Sequence, residues 1–527
     1  MKHYQLLASA ICSSVLLSAC GGGTSSAPAG TQTSPATPGM LLQSPAPRLL
    51  SLSALDFTAS LSASTSGQGL MQIAGKPVCG VDVQYIKYST IDGKGNPGAT
   101  ASGALMVPTG TAPQCTGARP IVLYAHGTTL TQNYNIANFA DTTNAGSTEG
   151  SMIAAIYAAQ GFIVVAPNYV GYDSSNISYH PYLVETQQSA DMINSLQAAR
   201  MALPSIINKS VTDSGKLFIT GYSQGGYVAM AAQKAMDAKF AAGDTTMKVT
   251  AAGPGSGPYA LTAMVDFIFA GHPNLGGPEL ATMLVTGYQN SYGDVYSSPS
   301  DLYTASLASA GVATLVPYLA TDTAAQMSII PQTFLFSATS PGIPNITPAM
   351  TGNPSVDALS ALGFGDPSLI NNAFRLSYLM DAGANPDHLN MSTWIGGPST
   401  TAQNKTRIHL AANDLRGFIP AEPTLLCGGA NDPIVYFFNS IAMKAEWSQI
   451  GLPARAFPLV DLAAAPTVGD GFDQARGGFQ QLQQSIYAGV IAAGGSTTAA
   501  QTAVVVNTHT NEAPFCLAAA RGFFSNF

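Results

Sequence analysis

The sequence predicts an α/β protein: a mostly parallel sheet with helices on both faces and a large, mainly helical insertion. Three observations carry this. Short apolar, β-prone runs alternate with longer helix-forming stretches from about residue 120 to 255 and again from 424 onward, the pattern of crossover connections between parallel strands. Between 261 and 400 the alternation stops and helical segments broken by Gly and Pro take over. Residues 217–226, L-F-I-T-G-Y-S-Q-G-G, join a buried-type strand to a helix through a glycine-flanked serine.

The 527 residues suffice for one large domain with an insertion, or for two domains. Apolar residues make up 46 %, enough for a substantial core, whereas charged residues are only 9 %, against about a quarter in typical domains. The net charge of −8 argues against a nucleic-acid partner, because phosphate binding needs clustered Lys and Arg. The first 19 residues read as an export signal, with Lys2 and His3 as the basic end and 4–17 as the apolar stretch. Leu17-Ser18-Ala19-Cys20 resembles a bacterial lipobox. That resemblance implies cleavage before Cys20, a lipid on its sulfur and a protein anchored at the outer membrane or cell surface; plain secretion is the alternative. Residues 20–48, rich in Gly, Ser, Thr, Pro and Ala, are expected to form a flexible tether. Of the six cysteines, Cys12 would leave with the signal and Cys20 would carry lipid. Cys79, Cys115, Cys427 and Cys516 then remain, an even number in an exported chain, which allows three pairings. No Cys-x-x-Cys spacing or His cluster points to a metal.

The core is expected over 49–260 and 401–527, with the insertion at 261–400. Residues 81–92 and 101–107 flank the turn Asp92-Gly93-Lys94-Gly95-Asn96 and form an antiparallel opening. A Cys79–Cys115 bridge would staple it. Residues 120–125 are a buried-type strand that runs into His126-Gly127-Thr128-Thr129. A helix over 148–160 ends at Gly161, a strand follows at 162–166 and a helix at 185–203. Gly221-Tyr222-Ser223-Gln224-Gly225 has the spacing of a nucleophile elbow, with strand 217–220 before it and helix 227–240 after it. The tight turn projects the serine hydroxyl into open space, and side chains at Gly221 and Gly225 would clash. The helix N-terminus directs N–H groups and a partial positive charge at the serine. Ser223 is therefore the candidate nucleophile, weighed against an ordinary glycine-rich turn. Strands are expected at 248–252, 424–427 and 455–462, and a helix over 472–494. His509 is expected on a polar loop ahead of a last helix at 517–523.

Together, His126-Gly127-Thr128, Asn168-Tyr169-Val170-Gly171-Tyr172, His180-Pro181-Tyr182 and the serine pentapeptide resemble the α/β-hydrolase superfamily, and more narrowly its secretory lipase branch. The likeness covers most of 81–527 outside the insertion. It implies a lipase or carboxylesterase that acts by acyl transfer on a small-molecule or lipid ester, with no cofactor or metal. It places the oxyanion donors on the backbone N–H groups of Thr128 and Gln224, of which losing one can cost roughly 3–4 kcal/mol of barrier lowering. His126 then reads as a loop-holding residue. The acid falls on Asp432, in Gly428-Gly429-Ala430-Asn431-Asp432-Pro433-Ile434-Val435, with Asp414 and Asp461 as rivals. His509 completes the order Ser…Asp…His; the other late histidine, His409, precedes Asp432. On this assignment a Cys427–Cys516 bond would tie the acid and base loops together.

The insertion would be the cap. Between 261 and 400, Arg375 is the one basic residue against nine acidic ones, a net of −8 that equals the charge of the whole chain. Such a cap is expected to disfavour anionic substrates and help expel a carboxylate product, unless it is a plain solvated surface. The competing functions are a serine peptidase of the same fold, a polymer or aryl esterase, and a non-catalytic binding module. A binding module typically loses one of the three reacting residues, and all three are present.

Overall fold

The structure, a computed structural model, describes residues 36–206, 210–318, 323–342 and 354–527. The export signal, Cys20 and the first part of the expected tether lie outside these residues. Nine strands form one sheet: β1 (Arg48–Leu52), β2 (Gly80–Ile91), β3 (Pro97–Thr109), β4 (Gly117–Ala125), β5 (Ile163–Pro167), β6 (Val211–Tyr222), β7 (Ala251–Gly255), β8 (Leu426–Gly428) and β9 (Leu459–Asp461). Their order is β1-β2-β3-β5-β4-β6-β7-β8-β9. β2 pairs antiparallel with both β1 and β3, β3 pairs antiparallel with β5, and every pairing from β5 to β9 is parallel. The parallel strands are buried along most of their length, as strands covered on both faces must be. One group of helices comprises Glu185–Ala202 packed on Gln224–Ala241; another comprises Thr65–Ala74, Ser147–Ile156 and Thr508–Phe524.

Three expectations need correction. The tether does not run to residue 48. Gly39 and Leu42 donate N–H bonds of 2.8 Å to the carbonyls of Ser89 and Lys87 along the edge of β2, and β1 then pairs with the same strand. Leu41, Leu50 and Leu52 supply the apolar side chains that hold this segment against the core. Secondly, His509 does not sit on a loop. It occupies the first turn of the helix Thr508–Phe524, which continues through Pro514. A proline there removes one helical hydrogen bond, but burial of Phe515, Cys516 and Leu517 and the disulfide at Cys516 hold the helix through it. Thirdly, the insertion between β7 and β8 does not end at residue 400. The helix Lys405–Ala412 belongs to it, because Arg407 reaches into the cap and bonds Asp266 and Asp381, each at 2.8 Å.

That last contact also offsets part of the acidic excess on the cap. Arg416 pairs with Asp387 at 2.6 Å and Asp414 at 2.7 Å, and Lys405 and His409 both reach Asp294. Four of the acids counted on the cap thus have cationic or imidazole partners from just beyond residue 400. Arg407 and Arg416 are fully buried, so these pairs act as internal struts, and removing one partner would leave a buried charge exposed to no water.

Both expected disulfides are present, Cys79–Cys115 and Cys427–Cys516. The first closes a loop with a sequence separation of 36. Replacing both of its cysteines by alanine should lower stability by about 4 kcal/mol on the chain-entropy account, read as a lower urea midpoint. An unchanged midpoint would contradict this.

Candidate active site

The elbow begins with a steric conflict. β6 and the helix Gln224–Ala241 approach β4 so closely that a Cβ on Gly225 would lie 2.0 Å from the carbonyl oxygen of Ala125. A Cβ on Gly221 would lie 2.4 Å from the carbonyl oxygen of Gly225. Between them Ser223 is forced to φ 61°, ψ −125°, a conformation that L-residues avoid and that carries local strain. The N–H of Ser223 bonds the carbonyl of Gly255 at 3.0 Å, which locks the turn to the end of β7.

The structure brings Ser223, Asp432 and His509 together. Nε2 of His509 lies 2.8 Å from Oγ of Ser223, and Nδ1 of His509 lies 2.6 Å from Oδ2 of Asp432. Asp432 is buried, and its other oxygen accepts the N–H groups of Ile434 at 2.8 Å and Val435 at 3.0 Å. With Oδ1 so occupied, the carboxylate is aimed at the imidazole and fixes the tautomer with the proton on Nδ1. Nε2 is then free to accept from the serine hydroxyl. The rivals have other work. Asp414 pairs with Arg416 and accepts the N–H of Thr262. Asp461 accepts the N–H groups of Ala430 and Ala463, so it holds the loop that carries Asp432.

Thr128 and Gln224 each share a cavity lining with the serine. Thr128, Ser223 and His509 line one cleft, and Ser223 and Gln224 also line an apolar cavity that runs into the cap. Gln224 is the first residue of its helix, where no preceding helical carbonyl can accept its N–H. In the other loop the N–H of Gly127 is taken by Glu149 Oε1 at 2.9 Å, which leaves the following N–H, that of Thr128, as the next donor in the loop. His126 is buried between the rings of Tyr134 and Tyr169, at 4.4 and 4.0 Å, and its Nε2 lies 3.1 Å from the carbonyl oxygen of Asn168. Burial lowers its affinity for a proton.

Two residues that support these loops carry no signal of that role in the sequence. Glu149, in the first turn of the helix Ser147–Ile156, also accepts the hydroxyls of Tyr124 at 2.6 Å and Tyr134 at 2.8 Å. Nothing local marks it, because all three partners lie at a distance along the chain. His180 was visible only as part of a His-Pro-Tyr motif. Its Nδ1 donates to the carbonyl of Val170 at 2.9 Å, so its Nε2 is an acceptor, and the amide groups of Gln224 at 2.7 Å and Gln188 at 3.1 Å approach it. It thereby fixes the side chain of Gln224.

Burial pushes His180 down from 6.5 to about 3. The folded ring stays neutral until about pH 3, while the unfolded imidazole takes a proton near pH 6.5. Across that window the unfolded chain binds one more proton, so the stabilisation is complete above pH 6.5 and fades as the pH falls towards 3. His180→Gln should therefore flatten the acid side of the stability profile by about one proton. Urea midpoints compared at about pH 4.5 and about pH 7 check this, and an unaltered pH dependence would contradict it.

The model of the prolyl oligopeptidase family matches residues 149–250, the part of the core that includes the elbow. No curated protein sequence gives a significant match. Among solved structures, the rice cell wall degrading esterase LipA from Xanthomonas oryzae aligns over 90 % of this chain and 98 % of its own, at 25 % identity and a TM-score of 0.60. A mutant form of the same esterase aligns over 81 % of this chain and 91 % of its own, at 26 % identity and a TM-score of 0.60. With the parallel sheet and the serine elbow between strand and helix, these likenesses identify the chain as a member of the α/β-hydrolase superfamily.

Proposed function

We propose that this carboxylic ester hydrolase works through an acyl-enzyme on Ser223. The observation that carries the reading is the hydrogen-bonded chain Ser223–His509–Asp432 at the mouth of an apolar cavity. His509 takes the proton of Ser223 as its oxygen attacks the ester carbonyl. The N–H groups of Thr128 and Gln224 receive the oxyanion. The alcohol leaves with the proton from His509, and water, activated by the same imidazole, releases the acid. Asp432 stays ionised and stabilises the imidazolium.

The cavity sets the acyl preference. It offers about 100 Å³ between Ser223 and cap side chains such as Leu261, Ile268, Phe269, Leu284 and Phe374. That is smaller than the roughly 150 Å³ apolar cavity that takes up benzene in a known case, so it suits a short alkyl chain and not a long fatty acid. The alcohol part would lie in the cleft past Thr128 and His509. The acid-linked cap arginines bear on the peptidase reading, which the prolyl oligopeptidase match favours. Arg407 and Arg416 are consumed by Asp partners and Arg375 by the carbonyl of Phe269, so none is offered to a peptide terminus.

Export rests on the two disulfides, which persist in oxidising compartments. Anchoring through a lipid on Cys20 completes the proposal and rests on the Leu17–Cys20 motif.

The test is hydrolysis of p-nitrophenyl esters from acetate to palmitate, alongside aminoacyl p-nitroanilides. The wild type should cleave the short esters fastest, and Ser223→Ala should lose on the order of 10⁶-fold in kcat. A Ser223→Ala variant as active as wild type would overturn the reading. Fastest turnover of palmitate would overturn the acyl assignment, and anilide cleavage exceeding ester cleavage would favour the peptidase.

A further inference from the structure

Glu512 takes no part in the steps above, yet it is fully buried at their centre. It lies three residues after His509 on the same helix, where i and i+3 side chains are neighbours. Its Oε2 accepts the hydroxyls of Tyr222 at 3.0 Å and Ser256 at 3.3 Å. Its Oε1 has no hydrogen-bond partner and fills the space above Gly429, where a Cβ would stand 1.9 Å away. One carboxyl group thus touches the residue before the serine at the end of β6, the residue after β7, and the loop after β8. That loop holds Asp432, whose N–H bonds the carbonyl of Gly429 at 3.1 Å. The ring of Tyr222 lies 5.1 Å from that of His509.

We propose that Glu512 is a positioning residue for the reaction, a buried carboxyl that locks the nucleophile strand, the acid loop and the base helix in one register. The inference rests on the reading of Ser223 as nucleophile. The groups facing it are Tyr222 from β6, Asp432 from the loop after β8, Asp461 at the end of β9, and His509 from its own helix. Burial, and then the charge of Asp432, push its carboxyl well above the ordinary range. An ionised Oε1 without a donor, beside a second carboxylate, would be costly. The neutral acid accepts both hydroxyls, fits over Gly429, and leaves Asp432 as the charged partner of His509.

The test measures kcat and KM for a short p-nitrophenyl ester across the pH range in Glu512→Ala, Glu512→Gln and wild type, with Ser223→Ala beside them. Glu512→Ala should lower kcat by about 10- to 100-fold through misplacement of the imidazole, with KM little changed. Glu512→Gln, neutral and of the same shape, should recover most of that loss and leave the acid limb of the profile in place. Wild-type kcat in Glu512→Ala overturns the proposal. A Glu512→Gln variant as slow as the alanine one, with its acid limb moved to lower pH, overturns it too, because the carboxyl would then act as an anion. Should Glu512→Ala fail to fold, Tyr222→Phe removes one hydroxyl from the carboxyl without opening a cavity. A lowered kcat at unchanged KM then supports the proposal, and a wild-type kcat overturns it. Activity surviving in Ser223→Ala would mark failure of the underlying reading instead.

Discussion

Three backbones meet at one point of this fold. The carbonyl of Ala125 at the end of β4, the turn at Ser223 and the first turn of the helix Gln224–Ala241 leave room for hydrogen, and nothing larger, at Gly221 and Gly225. This close approach holds Ser223 in its strained conformation and leaves its Oγ where His509 reaches it. The register of β4 on β6, with Ala125 opposite Gly221, also fixes where the loop after β4 begins, and hence where Thr128 stands relative to Gln224. The serine and its expected oxyanion donors are therefore consequences of a single packing constraint.

The other two members of the site come from the far end of the chain and need their own supports. Gly255 on β7 pairs with Cys427 on β8, which brings the acid loop to the same end of the parallel strands as the serine turn. The Cys427–Cys516 bond then ties that strand to the helix bearing His509. Glu512 lies between these two connections, and Asp461 holds the acid loop from β9. The cap is joined to itself through buried Arg407 and Arg416 and presents mainly aliphatic and aromatic side chains towards the serine.

What could be read from the sequence divides along the same line. The elbow was legible because every feature of it is local: the strand end, the glycines, the serine and the helix start lie within ten consecutive residues. Asp432 was legible as a residue just past a strand in a glycine-rich turn. The helix around His509 was not, because Pro514 reads as a breaker and only the buried Phe515, Cys516 and Leu517 override it. The segment 39–42 was hidden in a stretch whose composition is that of a linker, and Leu41 matters only once β2 stands beside it. Glu149 and Glu512 left no local trace, and His180 showed only as part of a His-Pro-Tyr motif, since their partners are separated from them in sequence and their identity as acid or imidazole says nothing of the loops they hold.

The measurement that bears most directly on this account is mass spectrometry of the protein after reaction with a fluorophosphonate, which forms a stable adduct with an activated serine. The account predicts a single adduct, on the peptide containing Ser223, and its loss when His509 is replaced by alanine. An adduct on another serine, or none on the intact protein, would contradict it.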